Sequence, residues 1–374
     1  MNAFTVFCPA LLIWSCHIKK SWSNETTEYL AEEKSTKEYE YSTEMVDYSG
    51  LEMMCEKAAN RYFRAWFLPT IYTIICLLAL MGNFLVILTY LYFKRLKTMT
   101  DVYLLNLAMA DLLFAISLPF WAASFMSKWH LGLYPCKAMF TIYKVSFFSG
   151  MFLLTCISVD RYFSITKAVS AHRCRSSAVY YGQVSSLVTW VMAATFSVPD
   201  MLFSEVNVNG TCVANGNGYE DYHVRMLVSQ MVLGFIIPAL VMGFCYICII
   251  KTLIQAKNFE RNKAFKVIIA VVAVFVFTQL PYNVVMGVTS QVTMDCHKDN
   301  SRLYALDVTR AMAFLRCCLN PFLYAFIGVK FRNDLLKLLK DLGCIKKSHL
   351  LYTHCGKRRS SVGLDTETTT SFSP

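Results

Sequence analysis

The stretch Ala138–Val159, AMFTIYKVSFFSGMFLLTCISV, carries a single charge, Lys144, and ends on Asp160-Arg161-Tyr162. An apolar run of this length can cross a bilayer as a helix. A charged pair at its end is costly unless it lies at a membrane edge and serves a function. The placement predicts a membrane bundle whose cytosolic switch is built on Arg161.

Similar blocks lie on both sides. Of the 374 residues, 56% are hydrophobic and 16% charged, which is too apolar for a soluble domain of this size. Seven apolar blocks are visible, at about Ala65–Phe93, Val102–Met126, Ala138–Val159, Ala178–Phe203, Met226–Ile250, Val267–Met294 and Leu303–Val329. The first and sixth carry no charged residue, and lipid-facing segments of this kind must be helical because lipid offers the backbone no partners. The expected fold class is an all-α membrane protein: a seven-transmembrane helix bundle at 65–329. A soluble bundle is disfavoured, since its helices would show a polar stripe.

The net charge of +11 is unevenly spread. Asn24–Glu56 holds ten acids and two lysines. Basic residues cluster after the first, third, fifth and seventh blocks, including Lys94, Arg95, Lys97, Arg173, Lys257, Arg261 and Lys330. These segments share one side, so they are expected in the cytosol and the N-terminus outside. The charge is a topology signal and implies no nucleic acid. Residues 1–23 read as a signal peptide, with an apolar stretch too short to span.

Residues 24–64 form an acidic, tyrosine-dotted extracellular segment, expected to be disordered without a partner. Asn24 and Asn209 begin glycosylation sequons on the expected outer face. Residues 330–342 alternate apolar with basic residues, as does a helix lying on membrane lipid. Residues 343–374 form a Ser- and Thr-rich tail, expected to be disordered and phosphorylatable. Cys344 follows the amphipathic stretch and is a candidate for palmitoylation.

Of fifteen cysteines, four fall on the outer face beyond the signal peptide: Cys55, Cys136, Cys212 and Cys296. The oxidising exterior makes them disulfide candidates, with three possible pairings. The pairing adopted joins Cys136 to Cys212 and leaves Cys55 with Cys296. Intramembrane cysteines, Cys76 among them, read as packing residues.

Charged side chains within the spans are candidate functional groups. Asp111 and Arg316, of opposite sign, are expected to pair. Lys144, Asp307 and Arg310 fall in the outer half, at a depth similar to Tyr72, Trp121, Tyr143 and Tyr282. Together they are expected to line an aromatic, outward-facing cavity. The seventh block has no lysine, which excludes a retinal Schiff base there. No H-E-x-x-H, G-x-S-x-G or phosphate loop occurs, so no enzyme and no cofactor are expected. A transporter would show repeat-related halves, and none are seen.

These motifs together resemble the rhodopsin-like G-protein-coupled receptors, over about Ala65 to Lys340. The matches are Gly82-Asn83, Leu107-Ala108-Met109-Ala110-Asp111, Asp160-Arg161-Tyr162, Trp190, Pro238 with Tyr246, Pro281 and Asn320-Pro321-Phe322-Leu323-Tyr324. Within that class Lys97-Thr98-Met99-Thr100-Asp101 and Leu118-Pro119-Phe120-Trp121-Ala122 are similar to the chemokine receptors, as are the four outer cysteines and the acidic N-terminus.

The resemblance implies a plasma-membrane receptor for C-C chemokines that guides lymphocytes and dendritic cells. It implies coupling to inhibitory G proteins, with arrestins and receptor kinases as further partners. Tyr39, Tyr41 and Tyr48, when sulfated, would capture a basic chemokine, whose N-terminus would enter the cavity. Inside, Arg161 would leave Asp160 for the G protein while Tyr246 and Tyr324 turn inward. Asp160 is the expected resting partner of Arg161, since the sixth span places Arg261 and Lys263 nearby and no acid.

Several residues depart from the family pattern. The pattern puts a sodium ion at Asp111, but Arg316 brings its own positive charge and Gly150 lacks the usual hydroxyl. Gln279 stands where a switch Trp is usual, and Arg310 where an acid is usual, so Asp307 is expected to replace that acid. Phe163-Ser164-Ile165-Thr166 follows the triplet in place of Leu-Ala-Ile-Val. An atypical scavenging receptor is therefore the alternative reading.

Overall fold

The structure, a computed structural model, describes residues 58–93, 96–126, 129–166, 177–207, 210–214, 220–255, 261–289, 296–327, 329–341 and 343. The chain divides into Met1–Met54 and Cys55–Pro374, and every described residue lies in the second unit.

Helices dominate because each closes its own backbone hydrogen bonds. They are α1 (Ala58–Phe93), α2 (Met99–Met126), α3 (Leu133–Thr166) and α4 (Ala178–Phe203). An antiparallel hairpin follows, β1 (Ser204–Val206) against β2 (Cys212–Ala214), with Val206 opposite Cys212. Next, α5 (Glu220–Met231) runs through a π turn at Val232–Ile236 into α6 (Ile237–Gln255). Last come α7 (Arg261–Thr289), α8 (Cys296–Phe314), α9 (Arg316–Ile327) and α10 (Val329–Asp341).

Among the described residues six helices are long and apolar enough to cross a membrane: α1 to α4, the α5–α6 rod and α7. The seventh crossing differs from the expected single helix over Leu303–Val329. It is α8 and α9 in series, broken at Leu315, whose N–H reaches the carbonyls of Ala311 and Met312, both at 3.2 Å. Several helices outrun their apolar blocks, because polar side chains at a span's end reach water while the backbone ladder continues. In the sixth block the described helix runs to Thr289, and residues 290–295 lie outside the described set.

Burial is inverted relative to a water-soluble protein. Asn83, Asp111, Ser117, Thr278 and Asp307 are fully buried, whereas Leu77, Leu187 and Leu240 are 64%, 65% and 68% exposed. Apolar side chains facing outward suit a lipid solvent, and the polar ones gather inside.

Proline explains two contacts of α1. Pro119 and Pro321 have no N–H, so the carbonyls four residues earlier, Ala115 and Cys317, lose their helical donor. Side chains of α1 replace both. The Cys76 thiol donates to the Ala115 carbonyl at 3.3 Å, and Asn83 Nδ2 donates to the Cys317 carbonyl at 2.9 Å. Cys76 is thus more than a packing residue. Gly82 lets the two segments approach, since a Cβ there would lie 3.0 Å from Pro321 Cβ and Cγ. At the far end α10 folds back on α1, with Phe331 6.0 Å from the Tyr90 ring and Lys337 5.5 Å from the Phe93 ring.

Asn83→Leu strands the Cys317 carbonyl and should cost about 1–3 kcal/mol, the penalty for an unsatisfied buried group. Cys76→Ala should cost less, since a thiol is a weak donor. Thermal unfolding of the purified variants ranks them, and equal midpoints would contradict this role for Asn83.

Candidate functional site

The disulfide Cys136–Cys212 ties the start of α3 to β2, with the Cα atoms 5.7 Å apart. The hairpin it anchors closes through Asn207, whose Oδ1 accepts from the Thr211 N–H at 2.9 Å, and Gly210 takes a positive φ of 68°. Lys137 Nζ donates to the Leu202 carbonyl at 3.0 Å, adding a second link from α3 to the base of this hairpin. Tyr39, Tyr41, Tyr48, Asn24, Asn209, Cys55 and Cys344 lie outside the described residues, as do the side chains of Cys296 and Tyr324.

The bundle holds a small, mostly aromatic cavity. Phe114, Tyr143, Phe147, Tyr282 and Phe314 form its walls, and Gln279 and Arg316 supply polar lining. Ring edges meet ring faces here, as between Phe114 and Phe314 at 4.8 Å. Gln279 Nε2 donates to the Ala313 carbonyl at 3.1 Å, so this residue ties α7 to α8.

Of the seven residues expected to line it, Tyr143 and Tyr282 do, whereas Tyr72, Trp121, Lys144, Asp307 and Arg310 are not among its lining. Tyr72 is 1% exposed and packs in the core against Phe314, 5.1 Å between rings. Lys144 is buried, donating to Gln230 Oε1 at 2.7 Å and lying 3.4 Å from Asp200 Oδ1. Asp307 does not stand free as the replacement acid: Arg64 clamps it, Nε to Oδ2 at 3.0 Å and Nη2 to Oδ1 at 2.9 Å. For the two charged residues the reason is desolvation, since a charge inside the bundle must find an opposite charge or stay in water. Trp121 packs edge-on against Phe140 at 4.8 Å and lies 6.3 Å from the Tyr143 ring. Arg310 lies in electrostatic reach of Tyr282, Tyr72, Tyr143 and Asp307.

Asp200, Gln230 and Arg64 were not foreseen. An acid inside the fourth apolar block marks Asp200. Arg64 lies one residue before the first apolar block, where the sequence alone reads as the end of the N-terminal segment.

At the bundle centre Asp111 is fully buried. Its Oδ2 accepts from Asn320 Nδ2 at 2.7 Å, and its Oδ1 lies 3.6 Å from Arg316 Nη1. The guanidinium lies against Gly150. A Cβ there would fall 2.6 Å from Nη1 and 2.8 Å from Nη2, so any larger residue would displace the guanidinium from its place beside Asp111. The missing hydroxyl and the unusual arginine are therefore one feature.

At the other end of α3, Ser158 and Tyr246 join their hydroxyls at 2.9 Å, linking α3 to α6. Tyr162 and Ile165 pack on Met242, Tyr246 and Ile249. The expected Asp160–Arg161 pair is not formed. Asp160 accepts a hydrogen bond from Thr100 of α2, and Arg161 is exposed, with no ion pair between the two among the described residues. Adjacent helical residues point about 100° apart and do not face each other. Ser164 and Thr166 donate to the carbonyls of Asp160 and Tyr162, both at 2.7 Å, so the polar continuation stays helical.

The family model of the 7 transmembrane receptor (rhodopsin family) matches residues 82–324. The chain belongs to that rhodopsin family of seven-transmembrane receptors, and within it to the C-C chemokine receptors. It is 51% identical to C-C chemokine receptor type 7 of Homo sapiens, with 92% of this chain and 94% of that one covered. The type 7 receptor of Mus musculus is 50% identical with the same coverage, and type 6 of Homo sapiens is 41% identical over 79% of this chain and 82% of its own. The protein is thus a multi-pass membrane receptor and not an enzyme.

Gly150→Ala should cost about 1–3 kcal/mol by overpacking the guanidinium. In an Arg316→Gln background the same change should cost far less, because the clashing group is gone. Unfolding midpoints of the four proteins give the coupling, and strictly additive shifts would contradict the steric match.

Proposed function

We propose that this chain is a plasma-membrane receptor for C-C chemokines that signals through inhibitory G proteins, with its N-terminus outside and its tail in the cytosol. The observation that carries this reading is that one side chain, Arg316, both lines the aromatic cavity and touches Asp111. A ligand that enters the cavity then bears on an ion pair joining α2 to α9, and Asn320 extends the contact along α9.

The acids of Asn24–Glu56 and sulfated Tyr39, Tyr41 and Tyr48 attract a basic chemokine and speed its capture. Its N-terminus enters the cavity and favours one packing of the bundle. Residues 1–23 are removed, Asn24 and Asn209 are glycosylated, and Cys55 pairs with Cys296. At the cytosolic end Arg161 meets the G protein, and rearrangement of Tyr246 and Tyr324, with Pro281 and Pro321 as flexible points, opens the site for it. Receptor kinases and arrestin act on the tail, where Cys344 is palmitoylated, and the cell follows the gradient, as lymphocytes and dendritic cells do. Chemokine and G protein each tighten the other's binding, as linkage requires.

Cells expressing the full chain, exposed to a panel of purified C-C chemokines, should show a fall in cyclic AMP that pertussis toxin abolishes. Chemokine binding and uptake without that fall would support a scavenging receptor instead, and no response to any chemokine would overturn the reading.

A further inference from the structure

We propose that Gly234 is a positioning residue for the aromatic cavity: it seats the Phe147 ring in the wall and so fixes how large an apolar ligand side chain the cavity admits. This rests on the chemokine-receptor reading above and adds what the cavity selects at the ligand's entering end.

Gly234 is buried in the π turn at Val232–Ile236. Such turns are rare and occur often at functional sites. Gly234 does not itself line the cavity, whereas Phe147 of α3 does. A Cβ on Gly234 would fall 2.4 Å from Phe147 Cε1 and 2.9 Å from its Cζ. The nearest atom of Phe148 would be 3.4 Å away, which is ordinary contact, so Phe147 alone would have to move. The Phe147 ring thus borders the cavity and also occupies the space that a side chain at position 234 would need.

The backbone does not ask for glycine here. Among the described residues the glycines of positive φ are Gly132, Gly210 and Gly343. Alanine could therefore adopt the conformation of Gly234, and it is the better helix former. What alanine cannot do is share space with the Phe147 ring. The rings of Tyr143, 6.5 Å away and stacked, and Phe148, 5.3 Å away and edge-on, flank Phe147. The open side is the cavity, whose other walls are Phe114, Tyr282 and Phe314. A ring pushed that way takes up room that a ligand side chain would fill. In an interior packed as closely as a crystal, a single methyl group is felt. The aromatic walls suit an apolar side chain, so size is the property they select.

The test uses the full chain on cells and the C-C chemokine of the panel that activates it. The ligand is compared in its natural form and with the largest apolar side chain before its first cysteine cut back to Ala. Gly234→Ala should weaken the natural ligand about tenfold, the effect of overpacking by one methyl, and the trimmed ligand far less. In a Phe147→Leu background the same change should leave the potency of both ligands unaltered, because the ring it strikes is gone. Surface staining of an N-terminal epitope corrects for receptor number, and a change that only weakened the fold would affect both ligands alike. Should Gly234→Ala alone fail to reach the surface, Phe147→Leu decides. With a smaller side chain in the seat, it should respond better than the unmodified receptor to a ligand enlarged to Trp at that position, and no such gain overturns the inference. Equal loss for the two ligands on Gly234→Ala, or an undiminished loss in the Phe147→Leu background, also overturns it. Either result leaves the chemokine-receptor reading intact, which fails only if no chemokine activates the unmodified receptor.

Discussion

A carboxylate buried at the middle of a membrane bundle has to be neutralised, and the arrangement around Asp111 follows from that constraint. Removing one partner of a buried ion pair costs about 3–5 kcal/mol. Here the counter-charge is Arg316, held 3.6 Å away on a helix that cannot leave. The guanidinium needs volume, and Gly150 of α3 supplies it. Asp111 also binds Asn320, so α2, α3 and α9 meet at one polar point. The tight turn at Leu315 falls immediately before Arg316.

Backbone polarity imposes the second constraint. Proline in a span frees a carbonyl that lipid cannot satisfy. For Pro119 and Pro321 the donors come from one helix, through Cys76 and Asn83. That shared dependence places α1 against both α2 and α9, next to the Asp111 centre. The same economy of charge governs the other half of the bundle, where Lys144 pairs with Asp200 and Arg64 with Asp307.

Helix number and position were legible because a span needs about 20 apolar residues and the blocks are that long. Helix ends were less so, since α1 starts at Ala58 and α3 ends at Thr166, both beyond the apolar blocks. The pairing of Asp111 with Arg316 could be read from opposite signs at one depth. The partners of Lys144 and Asp307 could not, because they come from other helices whose rotation no spacing within one helix reveals. Asp160 shows the limit most plainly. Its neighbour in sequence, Arg161, points elsewhere, and its partner Thr100 lies on α2. The role of Gly150 appears only when the space above its Cα is seen to be filled by another residue's guanidinium.

Asp111 thus carries a tethered cation in Arg316. Thermal unfolding of the purified receptor, with sodium chloride exchanged for choline chloride at constant ionic strength, tests it directly. The midpoint should be the same in both salts and rise with sodium only after Arg316→Ala empties the position. A clear rise with sodium in the unmodified receptor would contradict it.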